Sequence, residues 1–145
     1  MSNAVLVTGG FDPLHKGHIE YFKEAKKLGD KLIVGLNSDH WLTRKKGKPF
    51  MSLENRASII QNLSMVNEVV MYNDEDDTSC HAIEQVLHTY DNVIFANVGD
   101  RIITNVPEYD TFKENDRVKF VCNVGGDKTE SSSWLLDKWL SLIHI

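Results

Sequence analysis

The sequence has only two cysteines and three prolines among its 145 residues, and it lacks several other features that define specialised proteins. Cys80 and Cys122 stand far apart without metal-ligand spacing. That excludes a disulfide-stapled scaffold or a zinc module and reads as ordinary thiols in a reducing compartment. No apolar run approaches the ~18 residues of a membrane span, and Met1-Ser2-Asn3 leads into a strand pattern without a basic-then-apolar leader. A soluble, cytoplasmic protein with no membrane partner is the expectation. Basic excess is missing as well. The formal net charge is −5, which argues against nucleic acid as the partner, because binding a phosphate backbone normally requires a surplus of lysine and arginine. Two phosphate-binding signatures are also absent. No G-x-G-x-x-G opens a helix, and no G-K-[ST] follows a glycine turn.

What the chain does have is a regular alternation of apolar runs and amphipathic stretches. Ala4–Thr8 is a short apolar run ended by Gly9-Gly10, the pattern of a strand buried on both faces. From Gly17 to Leu28 the apolar residues Ile19, Phe22, Ala25 and Leu28 recur at helical spacing, with Gly29 expected at the C′ position. Lys31–Leu36 is a second buried strand, so the first thirty-odd residues form a βαβ unit with a right-handed crossover. The alternation continues with a helix at Ser52–Leu63 capped by Ser52, and a strand at Glu68–Tyr72 followed by the acidic turn Asn73–Asp77. A helix at Thr78–Tyr90 and a strand at Asn92–Ala96 come next. A short helix at Pro107–Glu114 with proline at its first position, a strand at Arg117–Cys122 and a helix at Ser132–Ile143 complete the chain. No repeat or linker interrupts residues 1–145. The expectation is one α/β domain, a doubly wound parallel sheet of about five strands with helices on both faces.

Ligands in such sheets bind beyond the carboxyl ends of the strands. Attention therefore falls on the loops Gly9–His18, Asn37–Phe50, Asn73–Thr78, Asn97–Thr104 and Asn123–Ser133. In the first, Gly9 and Gly10 let the backbone approach a phosphate closely. His15 and His18, three apart at a helix start, share one face beside the positive helix end, where imidazole N–H groups and unpaired backbone amides suit an anion. Gly17 between them keeps a side chain away from the approaching phosphate. An exposed histidine pair at an ordinary helix start is the plainer explanation, and the preceding strand and glycine turn weigh against it. The basic cluster Arg44-Lys45-Lys46-Gly47-Lys48 suits a small anionic ligand.

The stretch GGFDPLHKGH resembles the H-x-G-H motif of the cytidylyltransferase-like nucleotidyltransferases. So do Asn37-Ser38-Asp39, the basic loop, Arg56, Val98-Gly99-Asp100 and the run Ser131-Ser132-Ser133, in the order that glycerol-3-phosphate cytidylyltransferase and the nucleotidyltransferase domain of ADP-heptose synthase show. The resemblance implies a Rossmann-like nucleotidyltransferase fold and assigns roles. His15 and His18 contact the nucleotide phosphates, with His18 nearest the α-phosphate. Lys45 or Lys46 reaches the phosphates from a flexible basic loop, and Arg56 faces the site from its helix. Gly9, Gly10, Phe11 and Gly17 adjoin the nucleotide, while Gly99 and Asp100 lie beneath base and ribose. Lys128 and Ser131 to Ser133 hold the terminal phosphates. Asp12, Asp39 and Arg101 adjoin the acceptor. A homodimer is also implied, and Phe112, Trp134 and Trp139 serve either an interface or the core.

The chain departs from the family in three places. Lys128 stands where an arginine is usual, the hydroxyl run is all serine, and Arg101 follows Gly99-Asp100. The reaction implied is in-line attack by an acceptor phosphate oxygen on the α-phosphorus of CTP, with pyrophosphate leaving. Mg²⁺ is expected as cofactor, held through water and substrate oxygens rather than by protein ligands. A phosphate nucleophile is already ionised, so alignment and charge stabilisation suffice, and no Ser-His-Asp or Cys-His nucleophile is present. The competing readings are an adenylyltransferase using ATP with a sugar phosphate or cofactor precursor, and a nucleotide-binding sensor without catalysis.

Overall fold

Five short apolar runs pair side by side, and every pairing is parallel. The structure, a computed structural model, describes residues 3–98, 105–125 and 132–143. In chain order the elements are β1 (Asn3–Gly9), α1 (Lys16–Lys26), β2 (Lys31–Leu36), α2 (Asp39–Lys46), α3 (Leu53–Gln61) and β3 (Glu68–Met71). They continue with α4 (Cys80–Leu87), β4 (Asn92–Ala96), α5 (Tyr109–Phe112), β5 (Val118–Val121) and α6 (Ser132–Ile143). The strands lie in the order β3-β2-β1-β4-β5. Val5 of the central strand is opposite Leu32 on one flank and Ile94 on the other. Strand order therefore reverses between β1 and β4, the crevice where doubly wound sheets bind ligands.

Successive side chains on a strand point to opposite faces, so the sheet divides its apolar residues between two cores. Ala4, Leu6, Ile33 and Phe95 pack with Ala82, Ile83 and Val86 of α4 and with Phe112 of α5. On the other face Val5, Val7, Leu32 and Val34 pack with Tyr21, Phe22 and Ala25 of α1 and with Ala57 and Ile60 of α3. Each fully buried side chain of the size of Phe22 or Leu32 contributes about 1.5–3 kcal/mol relative to exposure. Phe112 thus belongs to the core. Trp139 is exposed, and the side chain of Trp134 lies outside the described residues. Among the described residues, no helix is long and apolar enough to cross a membrane.

Three local expectations change. Residues 39–46 form helix α2 where a loop is expected from the sequence. DHWLTRKK buries only Leu42, so it offers no apolar stripe, and the helix is set instead by Ser38, whose side chain accepts from the Trp41 amide at 3.1 Å. Pro107 is not at a first helical position. The short helix starts at Tyr109 with Glu108 as its N-cap. Gly29 does not serve as a left-handed C′ residue, because α1 ends at Lys26 with Lys27 as its C-cap. A Cβ at Gly29 would stand 2.9 Å from the Asn3 carbonyl oxygen, so close passage under β1 is what requires glycine there.

Candidate active site

The loop after β1 turns sharply into α1, and its geometry follows from a few fixed contacts. Phe11 sits at φ 50, a left-handed conformation that favours glycine. Burial of its ring offsets that strain: Phe11 packs edge-on against Phe22 at 5.1 Å and against His18 at 5.0 Å. Asp12 is buried, and its two carboxylate oxygens accept from the amides of Phe50 at 2.6 Å and Met51 at 2.7 Å. The carboxylate thus ties the first loop to the approach of α3. Lys46 adds a second tie, its Nζ donating to the Asp12 carbonyl at 3.0 Å.

His15 is the N-cap of α1. Its Nδ1 accepts from the Gly17 amide at 3.1 Å, while the His15 amide donates to Nδ1 of His18 at 3.2 Å. The two rings stack with centroids 3.8 Å apart and planes 20° from parallel. An Nδ1 that accepts a hydrogen bond carries no proton, so each neutral imidazole holds its proton on Nε2. The backbone therefore fixes both tautomers, and the two rings stack beside the positive end of α1. A Cβ on Gly17 would lie 3.0 Å from Cε1 of His15, so this glycine makes room for the first histidine's ring. Gly9 and Gly10 are equally crowded, with the Phe11 ring and Leu42 Cδ2 each 2.9 Å from a would-be Cβ.

The N-terminus of α6 adjoins the same loop, where Ser132 Oγ donates to the Pro13 carbonyl at 2.8 Å. Ser133 lies in the first turn of α6, its side chain outside the described residues, as are Gly99, Asp100, Arg101, Lys128 and Ser131 altogether.

Lys45 and Lys46 occupy the last turn of α2 rather than a loop. Basic side chains there complement the negative helix end. Lys45 is exposed and sits 5.5 Å from the Trp41 ring centre. Arg56 is 1% exposed and turned inward. Its Nε donates to the Met51 carbonyl at 3.1 Å, and Nη1 donates to the carbonyls of Gly10 at 3.0 Å and Asn37 at 2.7 Å. Nη2 bonds Asp39 Oδ1 at 2.7 Å. One guanidinium thus joins the loops after β1 and β2 to the starts of α2 and α3, and its carboxylate partner makes burial of the charge tolerable.

Sequence reasoning did not find a second polar group, at the ends of β1 to β3. Buried Asp74 accepts from Asn37 Nδ2 at 3.2 Å, the Ser38 amide at 2.7 Å and Ser38 Oγ at 2.8 Å. Tyr72, Ser79 and Thr8 form a hydroxyl chain. Ser79 Oγ is 3.3 Å from the tyrosine oxygen and 2.7 Å from Thr8 Oγ1, and the Ser79 amide donates to Glu108 at 2.6 Å. Burial raises the Tyr72 hydroxyl above its ordinary value, so it stays protonated. These residues are scattered over a hundred positions with no common spacing, and only alternation along the strands signals them. Among the described residues, no three His, Cys, Asp or Glu side chains cluster as metal ligands, and the Asp12 carboxylate is taken up by two amides.

A parallel sheet ordered β3-β2-β1-β4-β5, with two imidazole donors at the switch point, defines the nucleotidyltransferase type of doubly wound fold. The chain belongs to the cytidylyltransferase-like family, whose pattern matches residues 6–139. It is 44% identical over 85 residues to the bifunctional protein HldE of Haemophilus influenzae strain PittGG and 48% identical over 82 residues to that of Helicobacter pylori strain P12. These matches take in 57% and 55% of the chain but only 17% of each relative. Among solved structures it resembles a lipopolysaccharide core biosynthesis protein from Thermoplasma volcanium GSS1. That match has a TM-score of 0.64 and 29% identity, and covers 84% of this chain and 96% of the other. A bifunctional NMN adenylyltransferase/ADP ribose pyrophosphatase from Francisella tularensis shares the fold at TM-score 0.68 and 16% identity, over 97% of this chain and 43% of that one.

Proposed function

We propose that the protein transfers a nucleoside monophosphate from a nucleoside triphosphate to a phosphorylated small molecule and releases pyrophosphate. The observation that carries this reading is the stacked pair His15 and His18, each locked by a backbone amide into the tautomer that offers Nε2–H. Two fixed donors at a helix N-terminus suit the charge that spreads over an α-phosphate during in-line displacement. The N-terminus of α6 beside Pro13 supports placement of the departing pyrophosphate. Lys45, exposed at the end of α2, supplies mobile positive charge to the two repelling anions. Arg56 and Asp12 act through the backbone they hold rather than on substrate. Mg²⁺ fits this donor set as an ion carried on substrate oxygens, where it neutralises phosphate charge.

CTP is the donor nucleotide on the strength of the loop pattern shared with glycerol-3-phosphate cytidylyltransferase. A second reading, ATP, is favoured by the 44–48% identity to the HldE proteins together with Lys128 in place of an arginine. The likeness to a lipopolysaccharide core biosynthesis protein supports a sugar phosphate as acceptor. Thermal unfolding with Mg²⁺ and CTP, ATP, GTP or UTP tests the reading. A nucleotide at 100 times its Kd adds about 2.7 kcal/mol to the folded state. Stabilisation by CTP alone or ATP alone decides between the donors. No shift with any of the four would overturn nucleotidyl transfer.

A further inference from the structure

Asn97, which directly follows β4, carries a donor that the fold does not use. Its backbone is fully engaged. The N–H donates to the Val121 carbonyl at 2.8 Å, and the carbonyl accepts from the Val124 amide at 3.0 Å. Its side-chain Nδ2, by contrast, is shut off from solvent and has no hydrogen-bond partner among the described residues. A buried amide donor left unpaired loses its hydration without replacement, and folded proteins retain few of them. This one sits at the carboxyl end of β4, at the crevice where strand order reverses.

The two faces of the sheet meet differently at that crevice. Alternation along β4 puts Asn97 on the same side as Phe95, and alternation along β1 puts Thr8 on the same side as Leu6. That is the face covered by α4 and α5. There the hydroxyl chain Thr8–Ser79–Tyr72 has no fixed direction, since either oxygen of each pair can donate, and the Glu108 carboxylate lies behind it on the Ser79 amide. The first-loop ring of Phe11, which touches His18, belongs to the opposite core with α1 and α3. In-line displacement requires the attacking oxygen and the leaving pyrophosphate on opposite sides of the α-phosphorus. A nucleotide phosphate held by donors on the α1 side would leave the α4 side, with Asn97 and the hydroxyl chain, to the acceptor.

We infer that Asn97 is an acceptor-recognition residue. Its Nδ2–H donates to a hydroxyl oxygen of a polyhydroxylated phosphate, a polyol or sugar phosphate, whose other hydroxyls join the Thr8–Ser79–Tyr72 chain. This inference rests on the nucleotidyl-transfer reading above. The test compares wild type, Asn97→Ala and Asn97→Ser for pyrophosphate release from ATP and CTP, with glycerol 3-phosphate and mannose 1-phosphate as acceptors. Thermal unfolding with and without nucleotide runs alongside.

Asn97→Ala removes an unpaired buried donor, so it melts at or above the wild-type temperature and keeps the nucleotide-induced shift. Its kcat/KM for the acceptor falls about tenfold, chiefly through KM, the expected loss for one neutral hydrogen bond. Asn97→Ser keeps a hydroxyl donor and loses less. A lower melting temperature for the alanine variant, a lost nucleotide shift or an unchanged acceptor KM each overturns the inference. If wild type binds nucleotide but turns over neither acceptor, the acceptor class assigned here is wrong while nucleotidyl transfer stands. If wild type shows no nucleotide shift, nucleotidyl transfer itself falls.

Discussion

The loop after β1 and the start of α3 both bring basic side chains to the carboxyl edge of the sheet, and they use them in opposite ways. In the first, backbone amides occupy Nδ1 of His15 and His18, which places the proton of each neutral ring on Nε2. At the second, Arg56 makes four hydrogen bonds, to the Met51, Gly10 and Asn37 carbonyls and to Asp39, and sits almost entirely out of solvent. One region is a pair of imidazoles held by two backbone amides at a helix start, and the other turns its donors on four acceptors in the surrounding loops. A basic side chain at the carboxyl edge of the sheet is therefore not by itself a ligand-binding group. Which donors are already committed decides the role.

Removing Arg56 tests the inward-facing region most severely. Arg56→Ala takes a hydrogen-bond donor from three carbonyls and from the half-exposed Asp39 carboxylate, and unfolding in urea should show a loss of about 3 kcal/mol, most of it from the carbonyls left unpaired. Arg56→Lys should recover little of it, because an ammonium cannot span the four acceptors that the planar fork reaches. A folded Arg56→Ala protein of wild-type stability, with only nucleotide affinity reduced, would erase the distinction between the two regions.

The outward-facing region has the opposite signature. His18→Ala, which also removes the acceptor of the His15 amide and a contact of Phe11, should stay folded with a modestly lower melting temperature while kcat falls by about 10²–10³, the usual loss of roughly 2.7–4 kcal/mol for one preorganised donor. Steady-state kinetics of pyrophosphate release reads this directly. Near-wild-type turnover in a folded variant would break the mechanism.

Asp12→Asn sharpens the comparison with a smaller effect. Among the described residues the carboxylate bonds backbone amides through its two oxygens, at 2.6 and 2.7 Å. The amide keeps one acceptor and turns the other into a donor facing a donor. A stability loss of about 1–3 kcal/mol in urea unfolding is expected, in the range of a lost charge-assisted hydrogen bond. Nucleotide KM should move little at temperatures where the variant is folded, whereas a large KM effect at full stability would place Asp12 on substrate.

Much of the fold was legible before the structure. The limits of β2 and β4 follow from the runs KLIVGL and NVIFA, and α6 from Ser132 to Ile143, since strands buried on both faces and amphipathic helices leave distinct periodicities. Helix α2 was not legible, because its formation rests on a Ser38 cap and one buried leucine rather than on an apolar stripe. The positions of His15 and His18 on the first loop were legible from the glycine turn and their spacing. Asp74, Tyr72, Ser79 and Glu108 were not, because hydrogen bonds between residues 29 to 71 positions apart leave no local pattern.

The sequence by itself determined a parallel α/β sheet, its two apolar faces and the histidine-bearing loop at its carboxyl edge, because hydrophobic period, glycine turns and motif spacing are local properties of the chain. Tertiary structure alone decided the direction in which each polar group is used. Arg56 and Asp12 turn inward to backbone, Gly17 yields its space to a histidine ring, and Asn97 Nδ2 is buried without a partner among the described residues. Those outcomes depend on which distant carbonyls and amides the fold brings within about 3 Å, a distance that no spacing along the chain encodes.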